Sequence, residues 1–333
     1  MKSRLVTVAA LAAAMLACGC RHGGAGEGSV SQSADTTRQD VGVRFDADSA
    51  FSYVESQVAL GPRVPGTEAS RQCVAFITGE LERHGAQMVR VQQATVTAYN
   101  GDKLPINNVM AAYRPELKDR VMLVAHFDSR PWGDSDDREE NRMAPIPGAN
   151  DGASGVGVML EIARQLGQTE APVGVDLLFV DAEDYGQSSG FSNHDESWCL
   201  GTQYWTRNMP YATDSLPRYA VLLDMVGGMD AKFHREYFSD KAASQVVDRV
   251  WAEAARSGYG DRFVNVAGGA VIDDHVFLNR AGIPAIDIIE SKNDVTKSFN
   301  PTWHTMADDM DHIDRSSLKA AGQTVLNVIY SEK

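Results

Sequence analysis

Two amphipathic helices open the part of the chain that can build a core. In residues 45–60 and 67–85, apolar side chains recur at intervals of three and four residues, which is the spacing of one helix face. The sequence between them, GPRVPG, has two glycines and two prolines and ends the first helix. Both helices precede every strong strand signal in this pattern.

Four short apolar runs further along the chain predict strands that are buried on both faces. They occupy residues 121–128, 175–184, 219–227 and 283–289, and each is followed by loop residues or by a helical pattern. Continuous apolar runs are typical of parallel strands covered by helices. The pattern therefore predicts one α/β domain over residues 44–333, with a central mixed, largely parallel twisted sheet flanked by helices.

The first 20 residues predict export. Lys2 and Arg4 precede a short apolar run and then small residues, the order of a signal peptide, and the run is shorter than the 20 or so residues that span a bilayer. The sequence MLAC, ending at Cys18, fits a bacterial lipobox, and ACGC, ending at Cys20, fits it less well. We expect residues 1–20 to be a signal peptide with a lipobox, and the product to be a periplasmic or cell-envelope lipoprotein. A plain secretory signal is the alternative.

The segment after the signal peptide is predicted to be a flexible tether with almost nothing to bury. Residues 21–43 are rich in Gly, Ser, Thr and charge, which is typical of a flexible linker. Beyond it only Cys73 and Cys199 remain, so at most one disulfide can form and no CxxC pair suggests a structural zinc.

The charge of the chain excludes some partners. The net charge is −14, and removal of Lys2 and Arg4 with a signal peptide would take it to −16. Such a surface repels nucleic acid and anionic lipid headgroups and suits a substrate with a positive amino group. We expect a monomer that contacts the membrane only through its lipid anchor.

Polar side chains collect where the predicted strands end. Ligands bind beyond the carboxyl ends of the strands in sheets of this kind. The residues at these ends and at the neighbouring helix mouth are His126, Asp128, Asp151, Glu183, Asp184, Asp224, Asp273, Asp274, His275 and His304.

Taken singly, each of these residues has an ordinary explanation. Asp151 precedes a helix and could be its N-cap, and His304 alone would be a hydrogen-bonded loop histidine. Together they would make a negative cavity that needs a cation. Zinc held by two carboxylates and one imidazole, with a fourth position open, fits this set.

The order of the motifs HFD, GANDGASG, DAEDYG, LLDMVG and WHTMADD, with GPRVPG near the start, resembles the zinc aminopeptidase-like superfamily over residues 45–331. Within that superfamily the chain is most similar to the glutaminyl cyclases, in the bacterial form that resembles the animal enzymes. Three details favour cyclase over peptidase. They are the inserted loop after Gly186, an acid at Asp273 where the peptidases have Ser, and Trp303 where the peptidases commonly have Tyr before the last ligand.

The resemblance implies a function and a site. It implies one zinc per chain, and it implies that the N-terminal glutamine of peptides and proteins is converted to pyroglutamate with release of ammonia. The implied ligands are Asp151, Asp184 and His304, although the animal cyclases have Glu in place of Asp184. The implied acid/base is Glu183, held and polarised by Asp224 and Asp273, and the implied pocket aromatics are Trp303 and Trp198 in the inserted loop.

Two alternatives remain open at this point. His126, Asp151 and Asp224 could bind a second zinc, with Asp151 bridging, in which case Glu183 would activate water in a two-zinc aminopeptidase. A lipid-anchored peptide-binding protein is the other alternative, although Glu183 beside Asp184 would then have no evident purpose.

Overall fold

The computed structural model describes residues 42–188, 195–212 and 215–333. They belong to one compact unit, Arg38–Lys333. The expected signal peptide, its lipobox and the tether as far as residue 41 lie outside the described residues. Within the described part of the chain, no helix is both long enough and apolar enough to cross a membrane.

Helices and strands alternate along the second half of the chain, as expected for an α/β domain. The helices are α1 (Ala47–Val58), α2 (Glu68–Arg83), α3 (Ala153–Gln168), α4 (Leu200–Arg207), α5 (Tyr237–Arg256), α6 (Asp274–Arg280) and α7 (Arg315–Tyr330). The strands are β1 (Met88–Thr97), β2 (Lys103–Tyr113), β3 (Arg120–His126), β4 (Gly174–Val180), β5 (Ala220–Leu223), β6 (Phe233–Arg235), β7 (Phe263–Ala267) and β8 (Ala285–Ile288). Single 3₁₀ turns occur at Glu139–Asn141, Asp195–Ser197 and Met310–His312.

The central sheet is mixed, and its parallel half carries the site. Its strand order is β1-β2-β4-β3-β5-β8, and β6 pairs with β7 in a separate small sheet. β1, β2 and β4 pair antiparallel, whereas β4, β3, β5 and β8 run parallel, with Leu123 opposite Leu177 and Val221 opposite Ile286. The carboxyl ends of β3, β4 and β5 therefore meet at one edge of the sheet. The predicted fold class is confirmed.

Side chains alternate between the two faces of the sheet along each strand, and this divides the core into two layers. Leu123 and Leu177 belong to the larger cluster with residues of α1, α2, α3, α5 and α7, whereas Met122 and Leu178 belong to a smaller cluster with Trp205 of α4 and Leu278 of α6. Successive side chains of a strand point to opposite faces, so helices on both faces leave every residue of β3 and β4 buried.

The apolar pattern missed β1 and β2. On β1 half-buried and exposed positions nearly alternate, because this strand lies at the edge of the sheet, and β2 begins with the exposed Lys103 and contains Pro105 and two asparagines. Both strands therefore lack the continuous apolar runs of the parallel strands. The predicted strands at 175–184 and 219–227 also end early, at Val180 and Leu223, where the chain leaves the sheet to form the site.

Candidate functional site

Three neighbouring strand ends place acidic and imidazole groups at one edge of the sheet. His126 is the last residue of β3, Glu183 and Asp184 follow the end of β4, and Asp224 follows β5 directly. The Asp128 carboxylate accepts hydrogen bonds from the backbone N–H groups of Glu183 and Asp184, at 3.1 and 3.2 Å. This carboxylate thus fixes the chain after β4 against the chain after β3.

The loop before α3 brings Asp151 to the same place. Gly152 has φ 95°, and a Cβ atom there would lie 2.3 Å from the Asp128 carbonyl oxygen, so only glycine fits. Gly152 is also the N-cap of α3, which has no side-chain cap. The expectation that Asp151 caps the helix is therefore wrong, because its carboxylate faces two histidines instead, 3.2 Å from His126 Nε2 and 3.6 Å from His304 Nε2.

A buried arginine that the sequence interpretation overlooked holds this loop. Arg63, in the GPRVPG segment, is fully buried and donates to the carbonyl oxygens of Phe127, Pro147 and Gly148. Burial lowers the pKa of Arg63, although the surrounding carboxylates oppose this effect. The guanidinium therefore ties the loop that carries Asp151 to the end of β3.

The three expected zinc ligands lie together. One potential ligand atom from each of Asp151, Asp184 and His304 lies within 4.8 Å of the others, and all three residues are buried. His304 Nε2 is 3.2 Å from Asp184 Oδ1. The second oxygen of Asp184 is buried without a hydrogen-bond partner.

This arrangement fits a metal ion. A buried carboxylate oxygen without a partner is costly, and a cation would compensate it together with the charge on Asp151. Two oxygens and one nitrogen form a three-ligand set that leaves one position open, as in catalytic zinc sites.

A second group shares Asp151. His126, Asp151 and Asp224 also bring ligand atoms within 4.8 Å of one another, and His126 Nε2 is 3.1 Å from Asp224 Oδ1. Burial alone would lower the pKa of His126, but its hydrogen bonds with Asp128, Asp151 and Asp224 raise it well above the usual value. The geometry thus offers the second metal position that a two-zinc enzyme would need.

Glu183 lies beside Asp273 in a buried acidic cluster. Glu183, Cys199 and Asp273 bring ligand-type atoms within 4.8 Å of one another. Burial, together with Asp273 and Asp184, raises the pKa of Glu183 well above its usual value, against the opposing effect of His126. Burial also raises the pKa of Asp273 to about 7, with Asp224 adding to the shift, and the pKa of Asp224 to about 6.

Cys199 contacts Glu183, the expected acid/base. The sequence analysis did not predict this contact. Its Sγ lies 3.3 Å from Glu183 Oε1 and donates to it. Cys73 and Cys199 are both buried and free, so the single disulfide that the sequence allows is not formed.

A cavity of about 320 Å³ opens over these residues. Trp303 lies almost parallel to the His304 ring, with ring centroids 3.6 Å apart, and Trp198 stacks 6.1 Å from the same imidazole. Both indoles line the cavity, as do Phe299 and Ile289. The structure thus places Trp198 and Trp303 where the sequence interpretation expected the pocket aromatics.

The chain is similar to known proteins over most of its length. The family model of peptidase family M28 matches residues 108–329. Among solved structures, the glutaminyl cyclase of Bacteroides thetaiotaomicron bound to N-acetylhistamine is 49% identical, with a TM-score of 0.84 over 87% of this chain and 99% of that chain. A leucine aminopeptidase precursor from Bacteroides thetaiotaomicron VPI-5482 is also 49% identical, with a TM-score of 0.82 over 87% of this chain and 98% of that chain.

Two curated relatives are more distant. Aminopeptidase YwaD of Bacillus subtilis is 25% identical over 285 residues, covering 84% of this chain and 55% of YwaD, so the chain matches only about half the length of that protein. Glutaminyl-peptide cyclotransferase of Bos taurus is 25% identical over 282 residues, covering 77% of this chain and 74% of the bovine protein.

The family match covers more than half of the chain, and the solved cyclase is similar over nearly its whole length. These findings confirm the resemblance inferred from the motifs. The chain therefore belongs to peptidase family M28 and, within it, to the group that includes the bacterial glutaminyl cyclases.

Proposed function

We propose that this protein is a zinc-dependent glutaminyl-peptide cyclotransferase, which converts the N-terminal glutamine of peptides and proteins to pyroglutamate and releases ammonia. The observation that carries the proposal is Asp273 packed beside Glu183, under a cavity walled by Trp303 and Trp198. Relatives are named as cyclases and as aminopeptidases, so the residues of the site decide between the two activities.

Asp151, Asp184 and His304 would hold the zinc, and the bound ion would polarise the γ-carboxamide carbonyl of the substrate. The potential ligand atoms of these residues lie within 4.8 Å of one another, and this together with the buried, unpartnered Asp184 oxygen supports the assignment. The shorter stem of Asp184, compared with a glutamate, leaves its carboxylate 3.2 Å from the ligand nitrogen of His304.

Glu183 would move the proton. In the reaction the α-amine nitrogen of the substrate forms a bond to Cδ, the carbonyl carbon of the γ-carboxamide, and the bond from that carbon to the amide nitrogen breaks. One proton passes from the α-amine to the leaving nitrogen, so Glu183 acts first as base and then as acid. Burial and Asp273 raise the pKa of Glu183 well above its usual value, so its carboxyl accepts a proton more readily than an exposed glutamate does.

The cavity walls would shape the substrate. The reaction is intramolecular, so the enzyme needs only to hold the glutamine side chain folded towards its own amine. Trp303 and Trp198 enclose a space suited to a small side chain and would keep water away from it. Exclusion of water favours attack by the amine over hydrolysis of the amide.

A two-zinc aminopeptidase is the second candidate, because His126, Asp151 and Asp224 form a second group that could hold a metal. Incubation of the purified protein with Gln-initiated and Leu-initiated chromogenic peptides, together with a zinc count per chain, separates the two. We expect ammonia from the Gln-peptides, no cleavage of the Leu-peptides and close to one zinc. Hydrolysis of Leu-peptides with two zincs would establish the aminopeptidase, and binding without turnover would indicate a peptide-binding protein.

Export and lipidation also belong to this proposal. The apolar run and the cysteines near residue 20 support a lipoprotein signal, with attachment at Cys18 or Cys20. Mass spectrometry of the N-terminal peptide from membrane extracts tests it. A diacylglycerol-modified cysteine is expected, and an unmodified N-terminus produced by an ordinary signal peptidase would contradict lipidation.

A further inference from the structure

His304 has a backbone conformation that something must hold in place. Its φ is 56°, in the left-handed region that is uncommon for residues other than glycine. The loop after β3 contacts the backbone at His304 and just beyond it: Ser135 N–H donates to the His304 carbonyl oxygen at 3.1 Å, and Met306 N–H donates to Asp136 Oδ2 at 2.9 Å. Ser135 and Asp136 thus fix the main chain on the C-terminal side of the expected zinc ligand.

The same segment contacts the imidazole. Asp134 Oδ1 lies 3.1 Å from His304 Nδ1, while Nε2, on the other side of the ring, faces Asp184 Oδ1 at 3.2 Å and Asp151 Oδ2 at 3.6 Å. The 3.1 Å contact is an ion-pair distance without the alignment of a hydrogen bond. A carboxylate this close to Nδ1 stabilises the tautomer that carries its proton there, which leaves the Nε2 lone pair directed at the two carboxylates.

A buried arginine fixes Asp134 in turn. Arg130, 1% exposed, donates from Nε and Nη2 to the two Asp134 oxygens at 2.8 and 2.7 Å, and from Nη1 to the Asp184 carbonyl oxygen at 2.8 Å. Its guanidinium lies 4.8 Å from the centre of the Trp198 ring. The fork geometry of the pair leaves the Asp134 carboxylate little freedom to rotate.

We propose that Asp134 is a positioning residue for the metal site: it holds the His304 imidazole with Nδ1 protonated and Nε2 turned towards Asp151 and Asp184, and Arg130 holds Asp134 in that role. Asp134 is not among the residues that line the cavity, and of the lining residues it contacts His304 and the Ser188 hydroxyl, which donates to Asp134 Oδ2 at 2.7 Å. The proposal rests on the metal site of the proposed function.

Zinc affinity of Asp134→Asn tests this role. The protein is stripped with a chelator, and zinc binding is measured by competition with a fluorescent chelator at a temperature where circular dichroism shows the metal-free protein folded. Loss of an outer carboxylate partner weakens metal binding by roughly 10- to 100-fold, so Asp134→Asn should show that loss. Asp137→Asn is the matched control, because it removes the same charge from an exposed side chain in the same loop. It should bind zinc within about twofold of the parent chain.

Two further measurements distinguish positioning from a purely structural role. Asp134→Glu should recover part of the lost affinity, because it restores the carboxylate. Under saturating zinc, Asp134→Asn should regain most of its turnover of Gln-peptides with KM nearly unchanged. Parental zinc affinity in Asp134→Asn, or a metal-free variant that does not fold, would overturn the proposal. A parent chain that binds no zinc at all would instead refute the proposed function.

Discussion

Replacement of Glu183 by Gln is the sharpest test of the proposed chemistry, because the amide keeps the shape of the side chain and removes only its proton transfer. Glu183 is 8% exposed, and its Oε1 accepts from the Cys199 thiol at 3.3 Å. The amide oxygen of Gln can accept the same bond. Glu183 is in neither of the two groups of potential metal ligands that contain Asp151, so the variant should keep its zinc.

The expected loss is in kcat. Proton transfer by a positioned side chain contributes roughly 10²- to 10⁴-fold, which corresponds to about 3 to 5 kcal/mol in the activation barrier. We therefore expect Glu183→Gln to lose at least a hundredfold in kcat for Gln-peptides while KM changes little. The matched control is Glu196→Gln. Glu196 is an exposed glutamate in the 3₁₀ turn Asp195–Ser197, and this variant should keep parental activity.

The assay follows ammonia release from a Gln-initiated peptide, with zinc per chain and the melting temperature measured on the same samples. Because burial raises the pKa of Glu183, its ionisation in the folded chain costs stability as pH rises. The metal-free variant should accordingly lose less stability than the metal-free parent as pH rises above about 4.3, the usual pKa of a glutamate in an unfolded chain. Turnover within a few-fold of the parent, with zinc retained, would show that another group carries the proton.

Three other outcomes follow from the same geometry. Asp151→Ala and His304→Ala should each lose zinc and activity together, because a three-ligand site that loses one ligand holds a cation poorly, and full zinc occupancy in both would place the ligands elsewhere. His126→Ala should reduce activity yet keep close to one zinc per chain, whereas a fall in metal content from two would identify His126 as a ligand. The metal-free protein should lose stability as pH rises from about 4 to 7, because burial raises the pKa of Asp273 and Asp274 to about 7, above about 3.9 in the unfolded chain. In that window the folded state keeps protons that the unfolded state has lost, and each one lowers the free energy of unfolding by about 1.4 kcal/mol per pH unit. A melting temperature that stays constant from pH 5 to 8 would contradict the raised pKa values.

The parts of the site that the sequence predicted are those carried by strand ends. Once the apolar runs of β3, β4 and β5 are recognised, parallel pairing brings His126, Glu183 and Asp224 to one edge of the sheet, independently of the loop conformations. Asp273 and His304 lie beyond that argument. Their positions depended on the family resemblance, since the loops that carry them have no periodicity.

What the sequence did not reveal depends on local backbone geometry. Aspartate is a common N-cap residue, but Gly152, which has a positive φ, occupies the N-cap position of α3 and turns the Asp151 carboxylate inwards. Arginines are usually exposed, yet Arg63 and Arg130 are buried, and each donates to a carbonyl oxygen more than 50 residues away in the sequence. A buried arginine bound to carbonyl oxygens has no pattern in a single sequence, so only the structure could identify its contacts.

The number of metal ions is the point at which cyclase and peptidase differ most, and we expect one zinc in this chain. In the metal-free site burial raises the pKa of Asp224 to about 6, and Asp151 and Asp184 add to that shift while His126 opposes it. Asp273 adds another acid whose pKa is raised to about 7. Where a peptidase has Ser in place of Asp273, this second carboxyl is missing. We expect the acids beside Glu183 to share protons among themselves, because neighbouring carboxyl groups disfavour each other's ionisation. Shared protons would provide compensating charge where the peptidases have a second zinc, and they would leave Glu183 with partners that give and take a proton.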